Sequence, residues 1–158
     1  VTGTLDLSAY YGLTNTWHVG GRIRGSISSD VHLADARVNM PDGSVSSGDL
    51  YLDHRSVGIG ALAFYRFDTG LHLAPVLEVE AGFTSHQYRR IEHVPVDVAF
   101  TIPLSDVSET VFHAAAAVLV EYRFGNRWIA AAGAGVQVEP GASVPWSVSL
   151  PLRVGVIW

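Results

Sequence analysis

Residues 144–158 read VPWSVSLPLRVGVIW, with an apolar side chain at every second position from Val144 to Trp158. The positions between them are mostly proline, serine, arginine and glycine. Successive side chains of a β-strand point to opposite faces, so this stretch predicts a strand with one apolar and one polar face. A soluble sheet seldom keeps this alternation for so long. A strand with one face in lipid and the other in a polar lumen requires it.

The same alternation marks six earlier segments, which makes seven predicted strands with 144–158. The earlier segments are 1–13, 17–28, 57–67, 71–84, 112–124 and 128–139. Helices are excluded for them because apolar residues do not recur at spacings of three and four. Odd-numbered residues form the apolar face of the first four strands, and even-numbered residues form it in the last three.

The connections between these strands fall into two kinds. Those near 14–16, 68–70 and 124–126 are tight turns, whereas 29–49 and 85–107 are each about twenty residues long. Short periplasmic turns beside an aromatic girdle, opposite longer extracellular loops, are typical of outer-membrane barrels. The interfacial aromatic residues expected at the short-turn end are Trp17, Tyr65, Trp128 and Trp158.

Both long connections contain hydrophobic residues that favour structure of their own. The sequence Met40-Pro41-Asp42-Gly43-Ser44 is a turn-forming stretch between 29–40 and 44–56, and it predicts a projecting hairpin. Residues 86–107 predict a second projecting hairpin.

Taken together, these features resemble the small bacterial outer-membrane β-barrels, whose last strand ends in an aromatic residue, here Trp158. The resemblance covers the whole chain. It implies an all-β, antiparallel transmembrane β-barrel of about eight strands, with residues 1–158 as a single domain. It also implies a location in the outer membrane of a Gram-negative bacterium, in contact with outer-membrane lipid or lipopolysaccharide. The absence of a secretion signal at Val1 agrees with a mature chain.

Composition agrees with this class and argues against others. Hydrophobic residues make up 48% of the chain, yet no run approaches the roughly 18 consecutive apolar residues of a membrane helix. There is no cysteine, which excludes disulfides and thiolate metal sites. The net charge of −5 offers no basic stripe to a nucleic acid. A soluble β-sandwich or lipocalin-like barrel remains an alternative, in which Trp17, Val19, Ile23 and Ile27 form the core and Arg22 and Arg24 face solvent.

An odd strand count is unusual, because bacterial single-chain barrels have an even number of strands. We therefore expect an eighth strand, either missing upstream or supplied by a protein partner or a second copy of the chain. The alternative is direct parallel pairing between strands 1–13 and 144–158. Pro151 agrees with an edge strand or a bulge, where proline is tolerated.

The polar faces of the strands carry charges that the strand lengths place inside the barrel. The expected ionic network of the lumen comprises Arg22, Arg24, Glu78, Glu80, Arg153, Glu121 and Arg123. Because an isolated charge there is costly, we expect arginine–glutamate pairs with forked hydrogen bonds. An eight-stranded interior is just wide enough for its side chains to fill, which predicts an ionic plug. A narrow charged pore is the alternative. Glycines in Gly58-Ile59-Gly60 and Gly133-Ala134-Gly135 are expected to make room for these large side chains.

Signals of catalysis or metal binding are weak. His54 and Ser56 have the His-x-Ser spacing of outer-membrane lipid A deacylases, in which an imidazole activates a hydroxyl. The strand parity turns both side chains away from lipid, so we interpret them as polar rim residues. The seven histidines are spread along the chain with no pair at zinc-site spacing, and His86 with His93 is the weak metal candidate.

We therefore predict no catalytic residues, no metal and no cofactor. The predicted function is a non-enzymatic barrel that anchors extracellular hairpins, which bind a partner or a surface in adhesion or complex assembly. The alternatives are a narrow passive channel for ions or small solutes, and a lipid-modifying outer-membrane enzyme.

Overall fold

The computed structural model describes residues 2–96, 100–125, 127–142 and 146–156, and of Thr2 and Gly3 only the backbone. Within these ranges the chain forms β-strands and turns, and no helix. The strands are β1 Thr2–Gly12, β2 Trp17–Asn39, β3 Val45–Arg66, β4 Leu73–Pro95, β5 Ile102–Pro103, β6 Val107–Phe124, β7 Trp128–Val138, β8 Trp146–Ser149 and β9 Leu152–Val156. No helix in the described ranges is long and apolar enough to span a membrane.

The strands form one antiparallel sheet in the order β1-β2-β3-β4-β6-β7-β8. This confirms the predicted all-β antiparallel class. The short β5 pairs with β4 through Glu92 and Pro103, and β9 pairs with β7. In the described part of the chain β1 lies at one edge of the sheet, and β8 and β9 lie at the other.

The two long connections are mainly strand. β2 and β3 continue through most of 29–49 and meet at the predicted turn, where Met40 N donates to Ser44 O at 2.8 Å. β4 continues to Pro95, and its residues Glu92 and His93 pair with Pro103 and Ile102 of β5. Residues 86–107 therefore contain the second hairpin. The sequence pattern ends earlier because residues with a left-handed φ, typical of β-bulges, interrupt the period of two. They are Asp30, Asp35 and Arg90.

The final strand has one register and one interruption. Gly135 pairs with Ser149 in β8, and Ala132 pairs with Leu152 in β9, three residues earlier in β7 and three residues later in the final strand. Between them Gly133 N donates to Pro151 O at 3.2 Å, but proline has no N–H to return the bond. Pro151 therefore divides a single strand in two. Within the described residues this strand lies at the edge of the sheet, one of the two positions that Pro151 indicated.

Contacts between residues divide the chain into two compact units. The first contains Val1–Leu5, Arg24–Val57 and Ser85–Thr110, and the second contains Asp6–Ile23, Gly58–Thr84 and Val111–Trp158. The first unit holds the turn at 40–44 and the β4–β5 hairpin. The second holds the turns at 14–16 and 68–70, the turn residue Gly125, and β8 and β9.

The sheet of the second unit is curled into a half-barrel. Its concave face holds a small apolar core of Val76, Leu119 and Ala131, with Phe64 and Ala117 packed against it. The curl brings Arg153 of β9 to Glu78 of β4, although β6 and β7 lie between these strands in the sheet.

Candidate functional site

The polarity of the second unit is inverted relative to a soluble protein. Along β4, Leu77 and Val79 are 45% and 49% exposed, whereas Glu78 and Glu80 are 3% and 6% exposed. The period of two makes this a property of whole faces, with apolar side chains on the convex face and charges on the concave face. The other strands of the unit repeat the exposure of apolar residues, as at Val118 of β6, which is 61% exposed.

Four of the predicted network residues meet in a buried cluster on the concave face. Arg22 of β2 donates through Nη2 to Glu78 at 2.8 Å and through Nη1 to Glu80 at 2.6 Å. Arg153 donates to both carboxylate oxygens of Glu78, at 2.5 and 2.9 Å. The cluster contains two positive and two negative side chains, so its formal charge is balanced. Such charge-assisted, forked bonds satisfy groups whose burial would otherwise be costly.

A histidine and a threonine extend this cluster. His113 of β6 lies with Nε2 3.1 Å from Glu80 Oε1 and with Nδ1 2.9 Å from the hydroxyl of Thr84. The sequence places His113 on the inward face of its strand but does not identify its partner, which depends on strand register. The hydroxyl–imidazole–carboxylate order matches a catalytic triad, but His113 is 1% exposed and Thr84 6%. We interpret the arrangement as structural because such burial leaves no approach for a substrate.

A second ionic cluster lies nearer the tight turns. Glu121 Oε1 accepts from Arg66 Nε at 2.9 Å and from Arg123 Nε at 3.1 Å. Glu121 and Arg123 were predicted members of the network, whereas Arg66 was not assigned to it. The remaining predicted member, Arg24, follows Arg22 by two residues on β2, is half-buried and belongs to the first unit.

The predicted role of the glycines, to make room for large charged side chains, holds at one of four positions. An added Cβ on Gly58 meets the Thr84 hydroxyl first, at 3.1 Å. A Cβ on Gly60 would lie 2.7 Å from Glu80 Oε1, so this glycine does make room for a buried charge. At Gly133 the nearest atoms belong to the β6 backbone, and at Gly135 to Ala117, its neighbour Ala116 and Ser149. These two glycines allow close strand approach instead.

Aromatic residues cluster beside the tight turns of the second unit. Trp17 and Tyr65 pack edge to face at 5.0 Å between ring centroids, and Phe124 and Trp128 stack at 6.5 Å. Backbone bonds link these turns, as from Arg123 N to His72 O at 2.9 Å. The fourth predicted interfacial residue, Trp158, lies outside the described residues.

The histidines of the first unit are closer together than their sequence spacing suggested. His54 Nε2 and His86 Nδ1 are 2.9 Å apart, and the His54 ring stacks on Tyr88. Ser56, the other half of the His-x-Ser spacing, is hydrogen-bonded to Ser26 at 2.7 Å. His54 and Ser56 therefore bond to different neighbours. Among the described residues, no group of three or more histidine, aspartate or glutamate side chains is arranged to hold a metal ion.

Comparisons with protein-family models, with curated proteins and with solved structures find no match to this chain.

Proposed function

We propose that this chain is a transmembrane β-barrel of a Gram-negative outer membrane. The observation that carries the proposal is the inverted polarity of the second unit, where glutamates are buried and leucines and valines are exposed. Exposed apolar surface of this extent is unfavourable in water, whereas in lipid it is the favoured surface. The aromatic clusters beside the tight turns fit an interfacial girdle.

The soluble alternative is less favourable on the same grounds. A soluble sandwich or lipocalin-like barrel needs Trp17 and Ile23 in its core and Arg22 in solvent. Trp17 and Ile23 are instead 50% and 54% exposed, and Arg22 is 3% exposed. Their positions match the lipid-facing and lumen-facing sides of a barrel strand.

Closure of the barrel needs one further strand. Seven antiparallel positions in the sheet leave β1 and the β8–β9 strand running in the same direction. A single added strand, antiparallel to both, pairs with each edge, and it hides backbone groups that cost several kcal/mol each when exposed to lipid. Both faces of β8 are exposed, which agrees with a missing neighbour. The strand comes from an upstream segment, a protein partner or a second copy.

The function that we propose for this barrel is to anchor the hairpins of the first unit outside the cell. The β2–β3 hairpin and the β4–β5 hairpin would bind a partner or surface there, without enzymatic activity. At the turn 40–44, Asp42 and Gly43 are both exposed to solvent, which leaves the tip of the β2–β3 hairpin accessible to a partner.

The balanced ionic cluster favours a closed lumen over the alternative of a passive channel. Arg22 and both glutamates are almost wholly buried and bonded to one another, so protein groups already neutralise the charges that would attract an ion. We therefore expect single-channel recordings of the chain in planar bilayers to be silent. A steady ion-selective conductance that changes in Glu78→Gln would reject the anchor function and support the passive-channel alternative.

Epitope tags test location and orientation together. One tag is inserted between Asp42 and Gly43, and the matched tag between Thr69 and Gly70, both in exposed turns. In intact Gram-negative cells the first tag should bind antibody and the second should bind only after the outer membrane is permeabilised. Recovery of the chain in the soluble fraction, or the opposite labelling, would reject the proposal.

A further inference from the structure

Three arginines form an outward basic surface in the first unit, beside its exposed apolar residues. Arg55 precedes the outward Val57 by two residues on β3, and Val57 is 64% exposed. Arg89 and Arg90 are exposed on β4. The left-handed φ of 49° at Arg90 interrupts the alternation of β4, so two successive arginines are exposed. All ten basic side chains of the protein other than histidine are arginines.

Contacts between β3 and β4 place these arginines at one level. The ring of His54 stacks on that of Tyr88, with centroids 5.0 Å apart. One residue before His54, the carboxylate of Asp53 forms an ion pair with Arg90. Arg55 therefore lies beside the same segment of β4 that carries Arg89 and Arg90.

Two of the three arginines have no acidic partner within the described residues. Arg89 donates through Nη2 to Gln87 Oε1 at 3.1 Å, and Arg55 forms no ion pair there. A cleft of about 230 Å³ lies beside Arg89 and is lined also by Gln87, Asp106 and Ser108. The Asp106 carboxylate accepts the backbone N–H of Arg90 at 3.2 Å, which offsets part of its charge.

We propose that Arg55 and Arg89 bind the phosphate of an anionic membrane lipid. Planar guanidinium groups bind phosphate oxygens through paired hydrogen bonds, which favours arginine at such sites. Val57 lies two residues from Arg55 on β3, and the hydrogen bond between Ser26 and Ser56 brings the exposed Ile27 of β2 to the same level. Acyl chains would meet the headgroup region there. The inference rests on the proposed membrane location, and it specifies that the bound lipid has an anionic phosphate headgroup.

The experiment measures lipid preference of the full chain. The chain is inserted into vesicles containing phosphatidylcholine and phosphatidylglycerol, and the lipids retained after mild detergent release are identified by native mass spectrometry. Phosphatidylglycerol should be retained in preference. In the double variant Arg55→Gln and Arg89→Gln this preference should fall by roughly twenty-five-fold at low salt, about five-fold for each arginine.

A matched variant separates a site from general electrostatics. Arg37 and Arg127 are also exposed, so Arg37→Gln with Arg127→Gln removes the same charge elsewhere. An equal loss in this control overturns the proposal, as does a native chain without headgroup preference. Displacement of the lipid by inorganic phosphate at equal concentration would assign the site to a free anion instead. Insertion without preference rejects this inference alone, whereas failure to insert in any vesicle rejects the membrane location as well.

Discussion

Glu78 joins the buried arginine–glutamate cluster of the second unit to the half-buried Arg153. Its carboxylate accepts hydrogen bonds from Arg22 of β2 and from Arg153 of β9, so one side chain links three strands. Removing one partner of a buried ion pair is costly because the remaining charge has neither water nor a counter-ion.

Glu78→Ala should therefore lower the free energy of unfolding by about 3–5 kcal/mol. The measurement is urea unfolding of the chain folded in detergent micelles. Glu92→Ala is the matched control, because Glu92 lies on the same strand and is exposed, and it should change the value by less than about 0.5 kcal/mol. Equal effects of the two substitutions would show that the cluster does not stabilise the fold.

A substitution at Gly60 tests whether the space beside Glu80 is needed for stability. A Cβ at Gly60 would lie 2.7 Å from Glu80 Oε1, and Glu80 cannot move without weakening its bonds to Arg22 and His113. We expect Gly60→Ala to destabilise the chain by about 1–3 kcal/mol, as overpacking does. At Gly25 an added Cβ meets nothing within 4 Å, so Gly25→Ala should be neutral or slightly stabilising. Thermal unfolding of both variants decides between these outcomes.

For single residues, the sequence predicts which face of a strand a side chain occupies, but it does not predict which residue that side chain contacts. Strand parity alone places Arg22, Glu78 and Arg153 on one face. It does not show that Arg153 meets Glu78, because that contact depends on the curl of the sheet across β6 and β7. His54 and His86 were missed as a pair for the same reason, since neighbouring strands bring them together.

Among the elements, the β2–β3 hairpin shows how a local turn is stabilised. Gly43 adopts a φ of 83°, which glycine tolerates at little cost. The carboxylate of Asp42 accepts hydrogen bonds from the hydroxyl and the backbone N–H of Ser44, at 2.6 and 2.9 Å. The Ser44 hydroxyl contributes most to lowering the pKa of the Asp42 carboxyl below its ordinary value, and the N–H contributes next.

A lowered pKa makes the order of this turn dependent on pH. The ionised carboxylate stabilises the turn fully above the pKa of free aspartate, near 4, and this contribution is lost as the pH falls through the lower folded value. The Ser44 amide should therefore be protected from hydrogen exchange near neutral pH, and this protection, corrected for the intrinsic exchange rate, should be lost at acidic pH. In Asp42→Asn the amide should show no such pH dependence. Protection that persists unchanged to pH 2 in the native chain would contradict this account.

The strand boundaries show what a period of two reveals and where it fails. The tight turns at 14–16 and 68–70 were predicted from sequence, and Gly70 has a left-handed φ of 66°, which glycine adopts readily in such a turn. The lengths of β2 and β4 were underestimated, because the bulge-like residues Asp30 and Arg90 shift the phase of the pattern. Beyond them apolar and polar side chains are mixed on both faces, so alternation no longer distinguishes strand from loop. β3 was also underestimated, although it contains no such residue.

For the molecule as a whole, the central claim is that its apolar face belongs in lipid and its charged face in a lumen. The all-β antiparallel sheet was predicted from alternation, and the exposures of its faces agree with that claim. In our proposal, closure into a barrel depends on a strand beyond those described, which a pattern within one chain does not identify.

The most direct test is a comparison of the two faces in a bilayer. Fluorescent labels are attached singly at the outward Val19, Ile59 and Val118 and at the inward Ala115 and Gln137, and the chain is inserted into vesicles. A lipid-soluble nitroxide should quench the three outward labels and leave the two inward labels bright. Stronger quenching of the inward labels, or access of a water-soluble quencher to all five, would contradict the account.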